Sequence, residues 1–338
     1  MIFSLGLVGG PEVLGQMTIG AHPMQPFPAH IPRPIKVDIG FYLIDFARIN
    51  GREETFDLQG YLNASWVDPK LALAPGEHPK EERRFPTDAL WTPNSEFTNA
   101  AEQVKIQNEA ALVVDDDGRV HQRFRFTGKF AWPMDLKRFP FDSQALTIWI
   151  ESFERQTSDL QFVVNEPHIG RLATAFVADW KIHEVSAKVV DASYPSFGRT
   201  ATRLVVEIPI SRQATFYLWR VLIPMTLLVV TSWLVYLFEP TNFQPLISTT
   251  VAILLNVILF NFSIDFALPK VSYLTFIDTY AVTCLVFMLA NMVGVTVVHL
   301  TCISKGPTAA RTIQRRAFWM FPIAFLATTS TEAWFFLG

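Results

Sequence analysis

The order of hydrophobic and polar positions splits the chain into two halves with different periods. Between residues 35 and 210 short runs alternate apolar with polar residues and are broken by turn formers, as in 40–48, 55–66, 119–126, 145–150, 160–164 and 204–210. Alternation with a period of two marks strands that are wet on one face and buried on the other. Asp115-Asp116-Asp117-Gly118 sits between two such runs and reads as a turn tip with solvated carboxylates, although an acidic triplet can also hold calcium. Several strands at this spacing predict an antiparallel β-sandwich.

Beyond residue 214 the alternation gives way to long apolar stretches at 216–238, 246–268, 273–300 and 317–337. A helix needs roughly 20 apolar residues to cross a bilayer, and all four approach or exceed that. Glu239-Pro240-Thr241-Asn242 and Pro269-Lys270-Val271-Ser272 are tight breaks between them, so successive helices must be antiparallel neighbours in a four-helix bundle. The connection at 301–316 carries Lys305, Arg311, Arg315 and Arg316, and by the positive-inside rule it is cytoplasmic. Counting back puts the amino-terminal half and the carboxyl terminus outside.

The second apolar stretch is unlike the others because Ser248, Thr249, Thr250, Asn256, Asn261, Ser263 and Asp265 interrupt it. Steps of three or four residues place Gln244, Ser248, Ala252, Leu255, Leu259, Phe262 and Asp265 on one face. Such a stripe either packs against the neighbouring helices or lines a water-filled pore, where polar rings select ions and apolar rings gate by dewetting. Periodicity leaves both readings open.

Composition sharpens the division. The chain has 338 residues, half of them apolar and 17% charged, with a formal charge of −3. Disorder is excluded, as is a nucleic-acid binder relying on bulk positive charge. Charged residues are dense from Arg33 to Arg212 and scarce from Val221 to Leu300. The two cysteines, Cys284 and Cys302, fall in the apolar half, so the strand-rich half has no disulfide framework. Seven histidines show no ligand-like spacing, and no nucleophile elbow or phosphate loop occurs. An enzyme, a cofactor and a metal site are therefore not expected. Asp278 and Glu332 read as structural groups near helix ends. Residues 1–30 form a separate segment whose first fifteen residues are apolar but lack a leading basic residue, a poor secretory signal as it stands; whether it is a leader remnant is left open by the sequence.

Several motifs, in order, resemble the pentameric ligand-gated ion channels of the Cys-loop receptor superfamily, and their bacterial members in particular. Leu90-Trp91-Thr92-Pro93 is similar to the family's Trp-x-Pro segment. Trp132-Pro133-Met134-Asp135-Leu136-Lys137-Arg138-Phe139-Pro140-Phe141-Asp142-Ser143-Gln144 is similar to its signature loop, with Trp132 and Leu146 where animal members have cysteines. Ile210-Ser211-Arg212-Gln213 resembles the link into the first membrane helix, Pro224 its mid-helix proline, and Leu268-Pro269-Lys270 the loop after the pore helix.

The resemblance implies an extracellular β-sandwich over residues 31–213 and a four-helix membrane pore domain over 214–338, assembled as a homopentamer in a cell membrane, bacterial inner membrane by this likeness. It turns the stripe of the second helix into a pore lining, with Leu255, Leu259 and Phe262 as a hydrophobic gate. Asp142 and Arg212, with Phe139, Pro140, Pro269, Lys270 and Glu54, are expected to couple the domains. The acidic residue that relatives add from the first hairpin falls here on Gly51, with Glu53 or Glu54 as substitutes. A ligand site is expected where Asn94, the loop after Ile150 with Phe153, and the hairpin with Tyr194 and Phe197 meet. Its aromatic rings suit a cationic amine. Glu54 matches a carboxylate position of acid-responsive relatives, so a small molecule and the proton both stand as agonists. Gln244 at the inner end, Asp265 at the outer end and no basic residue on the stripe predict passage of monovalent cations. Expected partners are further copies of the chain, membrane lipids, permeant cations and the agonist. The competing reading is a membrane-anchored β-sandwich binding protein or sensor without a pore.

Overall fold

The computed structural model describes residues 26–77, 81–107, 111–152, 155–239, 241, 243–265 and 271–337. Among them, thirteen strands form two sheets. In chain order they are β1 (Ile35–Asn50), β2 (Thr55–Val67), β3 (Arg83–Phe85), β4 (Glu96–Phe97), β5 (Lys105–Gln107), β6 (Leu112–Val114), β7 (Arg119–Ala131), β8 (Ser143–Glu151), β9 (Leu160–Val164), β10 (Gly170–Arg171), β11 (Trp180–Ile182), β12 (Ser186–Tyr194) and β13 (Arg199–Arg212). One sheet runs β10-β1-β2-β7-β6-β3, with β5 on β7 and β9 on β1, and the other runs β11-β13-β8-β4, with β12 on β13.

Every alternating run read from the sequence falls within a strand, and 160–164 is β9 itself. The β-sandwich is as expected, with one difference. β9 and β10 pair parallel to β1, at Ile35↔Leu160 and Tyr42↔Gly170, so the sheet is not purely antiparallel. A parallel partner needs a long crossover, and β9 reaches β1 only after the chain has passed through the second sheet.

Inward residues of the two sheets interdigitate as buried rings. Phe97 of β4 reaches across to Phe126 and Phe130 of β7 at centroid distances of 4.5 and 5.6 Å, and Trp66 meets Trp91 edge-on at 5.7 Å. Each such buried side chain contributes about 1.5–3 kcal/mol, which explains how the sandwich holds without a disulfide. The acidic triplet does form a turn. Gly118 closes it at φ +82°, where a Cβ would also collide with the Asp68 carbonyl.

Among the described residues, four helices are long and apolar enough to cross a membrane: α1 (Thr215–Leu237), α2 (Phe243–Asp265), α3 (Phe276–Lys305) and α4 (Pro307–Leu337). Their outward faces carry large apolar side chains such as Trp219, Leu227, Val286, Trp319, Ile323 and Trp334, which require a nonaqueous surround. α1 widens into a π turn at Leu218–Leu222, directly before Pro224, whose missing N–H leaves a backbone carbonyl without its usual donor. Asp278 closes a capping box with Thr275 at the start of α3, and Glu332 accepts the Thr283 hydroxyl, so both have structural partners.

The connection at 301–316 departs from expectation. α3 continues to Lys305, Gly306 alone makes the turn at φ +85°, and α4 begins at Pro307. Arg311, Arg315 and Arg316 are helical residues, not loop residues. Charge made the segment look like a loop, but arginine is a good helix former, and Gln314 anchors this turn of α4 by donating to the Tyr236 and Phe238 carbonyls at 2.5 and 2.6 Å. At Gly294 of α3 a Cβ would run into the Tyr236 hydroxyl, so α1 and α3 touch through a glycine.

Candidate functional site

Three places in this fold hold the residues singled out above. The first is a corner of the second sheet, where β8 ends. Register sets Arg203 of β13 opposite Glu151 of β8, and Glu96 of β4 opposite the same residue on its other side. Glu151 is fully buried. Its Oε1 accepts from Arg203 Nε and from the Thr98 hydroxyl at 3.2 Å, and its Oε2 accepts from the Tyr194 hydroxyl at 2.7 Å. Arg203 Nη2 also donates to the Tyr194 oxygen at 3.1 Å, and the guanidinium carbon lies 4.5 Å from the centre of the Trp149 ring. Burial, followed by the neighbouring Glu151, pushes the Tyr194 pKa up. For Arg203, burial pulls the pKa down, and the hydrogen bonds to Glu151 and Tyr194 more than reverse it.

Asn94 stands in the same corner at φ +45°. The Ser152 hydroxyl donates to the Pro93 carbonyl at 2.6 Å and fixes that segment to the end of β8. Phe197, by contrast, is exposed on the turn between β12 and β13. Phe153 lies outside the described residues. Of the residues that the sequence singles out, Tyr194 and Asn94 stand at this corner; Glu151, Arg203 and Trp149 carry no signal in the sequence, because only the β8–β13 register brings them together.

The second place is the junction of sandwich and helices. Arg212 and Asp142 form a two-pronged ion pair, Nε to Oδ1 at 2.6 Å and Nη2 to Oδ2 at 3.1 Å, and the Arg212 amide donates to the Asp142 carbonyl. Gln144 adds a hydrogen bond to Asp142 Oδ2 at 2.7 Å. The guanidinium lies between the rings of Trp180 and Phe139, 4.1 and 4.7 Å from their centres. A flat cation between two rings, with its edge on a carboxylate, is held far more firmly than a surface pair.

From there the signature loop reaches both membrane helices. The Phe139 ring meets Tyr217 of α1 at 4.7 Å, and Phe141 meets Phe276 of α3 at 5.6 Å. Tyr273 donates to the Met134 carbonyl and accepts from the Leu136 amide, while the Phe276 amide donates to the Lys137 carbonyl at 2.9 Å. Pro140 is buried within this loop. Pro269 and Lys270 lie outside the described residues. Neither substitute for the third acidic group is brought onto Arg212. Glu53 pairs with Lys129 at 3.3 Å, and Glu54, at φ +52°, accepts from the Met134 amide at 3.5 Å. Small-molecule pockets span about 300–1,000 Å³, and a cavity of about 730 Å³ opens here between Arg48, Arg52, Phe176, Trp180, Arg212 and Tyr217.

The third place is α2. Gln244, Ser248, Ala252, Leu255, Leu259 and Phe262 are all exposed in the single chain, while Leu246, Thr250 and Val257 on the other face are buried against the bundle. The Ser248, Thr249 and Thr250 hydroxyls donate to carbonyls one turn back, and so does the Asn256 amide. That local satisfaction lets polar residues sit at bilayer depth. α2 ends at Asp265, whose side chain lies outside the description.

The sandwich, the four helices and the loop between them agree with known proteins. The sequence profile of the neurotransmitter-gated ion-channel ligand binding domain matches residues 21–214. The chain belongs to this family of pentameric ligand-gated ion channels. A proton-gated ion channel of Gloeobacter violaceus is 28% identical over 338 residues, which is the whole of this chain and 92% of that protein. The glycine receptor beta subunits of Rattus norvegicus and Homo sapiens are each 26% identical over 275 residues, 79% of this chain but 55% of theirs. The protein is thus a membrane channel with an extracellular ligand-binding domain, and not an enzyme.

Proposed function

We propose that five copies of this chain surround an axis lined by α2 and pass monovalent cations when an extracellular agonist or a change of proton concentration shifts a closed-to-open equilibrium. The observation that carries the proposal is the exposed stripe of α2. Its six described positions face away from the packed bundle, contain no basic residue, and change from polar at Gln244 and Ser248 to apolar at Leu255, Leu259 and Phe262. Closed rings of a homopentamer repeat each side chain five times, so one leucine becomes a dewetting constriction and one Asp265 becomes an acidic mouth. In this reading Asp142, Arg212, Phe139, Pro140, Pro269 and Lys270 carry motion from sandwich to pore, the lipid-facing residues of α4 meet the bilayer, and the turn at Gly306 is cytoplasmic in a bacterial inner membrane.

For the agonist, the proton has a geometric argument. Glu54 connects the β1–β2 turn to the signature loop through the Met134 amide, and a carboxyl group that takes up a proton accepts that hydrogen bond less well. A relative that is itself proton-gated supports the same reading. The small-molecule alternative places the ligand at the corner formed by Asn94, Phe153, Tyr194 and Phe197.

Current through the purified protein in a planar bilayer under a sodium chloride gradient tests the whole proposal. A reversal potential near that of sodium, an acid-evoked current and its loss in Glu54→Gln are expected. Reversal at the chloride potential refutes the selectivity, and an unchanged acid response in Glu54→Gln refutes the sensor.

A further inference from the structure

An aromatic corner suited to a cationic amine already contains a cation of its own. The Arg203 guanidinium lies over the Trp149 face at 4.5 Å, donates to the fully buried Glu151, and donates to Tyr194 at 3.1 Å. Ring face, carboxylate and phenol oxygen are the three groups that a diffusible amine would seek. All three are taken by one side chain, itself mostly buried. Tyr194 and Arg203 belong to the β12–β13 hairpin and Glu151 to β8, so the same contacts fasten the hairpin to the sandwich without a ligand.

We propose that Arg203 is a built-in occupant of this corner and sets its specificity, closing it to free amines and guanidines in the native protein and admitting them only when the arginine side chain is removed. The argument is one of competition. A tethered group already beside its partners faces none of the translational cost that a free ligand meets, so an external amine must be present at very high concentration to displace it. Truncating Arg203 leaves Glu151 and Tyr194 in place around a gap the size of the lost guanidinium, and a small guanidinium ion fits the vacated contacts. The inference rests on reading this corner as the ligand site, and it specifies the ligand class that site rejects.

The test measures thermal unfolding of the detergent-purified full chain, titrated with ethylguanidinium, alongside bilayer current. Wild type is expected to show no saturable rise in melting temperature. Arg203→Ala is expected to show one at millimolar concentration, and to lose it when Trp149→Ala is added. Saturable stabilisation of the wild type that disappears in Trp149→Ala would overturn the proposal, and this arm does not depend on the folding of any Arg203 variant. A folded Arg203→Ala protein that binds no ethylguanidinium would overturn it as well. Current separates the two readings: ethylguanidinium that stabilises Arg203→Ala without altering its current upholds the built-in occupant and refutes the corner as an agonist site.

Discussion

Asp142 shows what a single buried charge can depend on. It is 2% exposed and has Arg212 as its charged partner, with Gln144 adding one neutral donor. Arg212→Ala strands that carboxylate and removes the filling between Trp180 and Phe139, a loss expected to cost about 3–5 kcal/mol of stability. Arg212→Lys keeps the charge but not the two-pronged geometry or the flat stack, and should lower the melting temperature of the pentamer by a smaller, measurable amount. Tyr194 carries a prediction of a different kind. Its pKa lies above the ordinary value of about 10. A raised tyrosine pKa means that the stability from its donated hydrogen bond is fully present below the unfolded value and is lost only as pH climbs through the folded one. Any response of the current between pH 4 and 9 should therefore keep its midpoint in Tyr194→Phe; a shifted midpoint would place Tyr194 within the sensor.

Helices and strands differ in how far the sequence foretold them. Alternation located β1, β2, β7, β8, β9 and β13, since each strand needs only its own inward and outward faces. Which strands pair is a long-range matter, and so the parallel seating of β9 on β1 and the Arg203–Glu151 contact were beyond it. At the junction, opposite charge and the signature loop pointed to Arg212 and Asp142. Trp180 and Tyr273, an aromatic in a three-residue strand and one ahead of a helix, carried no comparable signal. The reach of α4 back to Pro307 was hidden because its first turns are polar. Within α2, the exposed face gives a direct test. Leu255→Ser puts a hydroxyl into each of five positions of the apolar constriction, eases its wetting and should lower the agonist concentration for half-opening by about tenfold, or about 1.4 kcal/mol. An unchanged or raised half-opening concentration would remove Leu255 from the gate. In α3, Gly294→Leu should separate α1 from α3 and abolish recovery of folded protein, while Gly294→Ala tests how far the Tyr236 hydroxyl can yield.

Assembly is the property on which the channel reading stands as a whole. Mass measured in detergent should equal five copies of the 38.3 kDa chain, and a monomer would return the molecule to the anchored-binder reading. The turn at Gly306 has a practical corollary for that assembly. One residue with a left-handed backbone separates two helices of 30 and 31 residues. Apart from its two chain neighbours, no described residue of the chain lies within 4 Å of where a Cβ would stand there, so the hairpin tip is open space in the single chain. A folded cargo such as a fluorescent reporter spliced in at this point would hang clear of the bundle, with both helices still paired along their length. The tip is thus a handle by which the protein can be labelled, counted subunit by subunit, and followed as it opens.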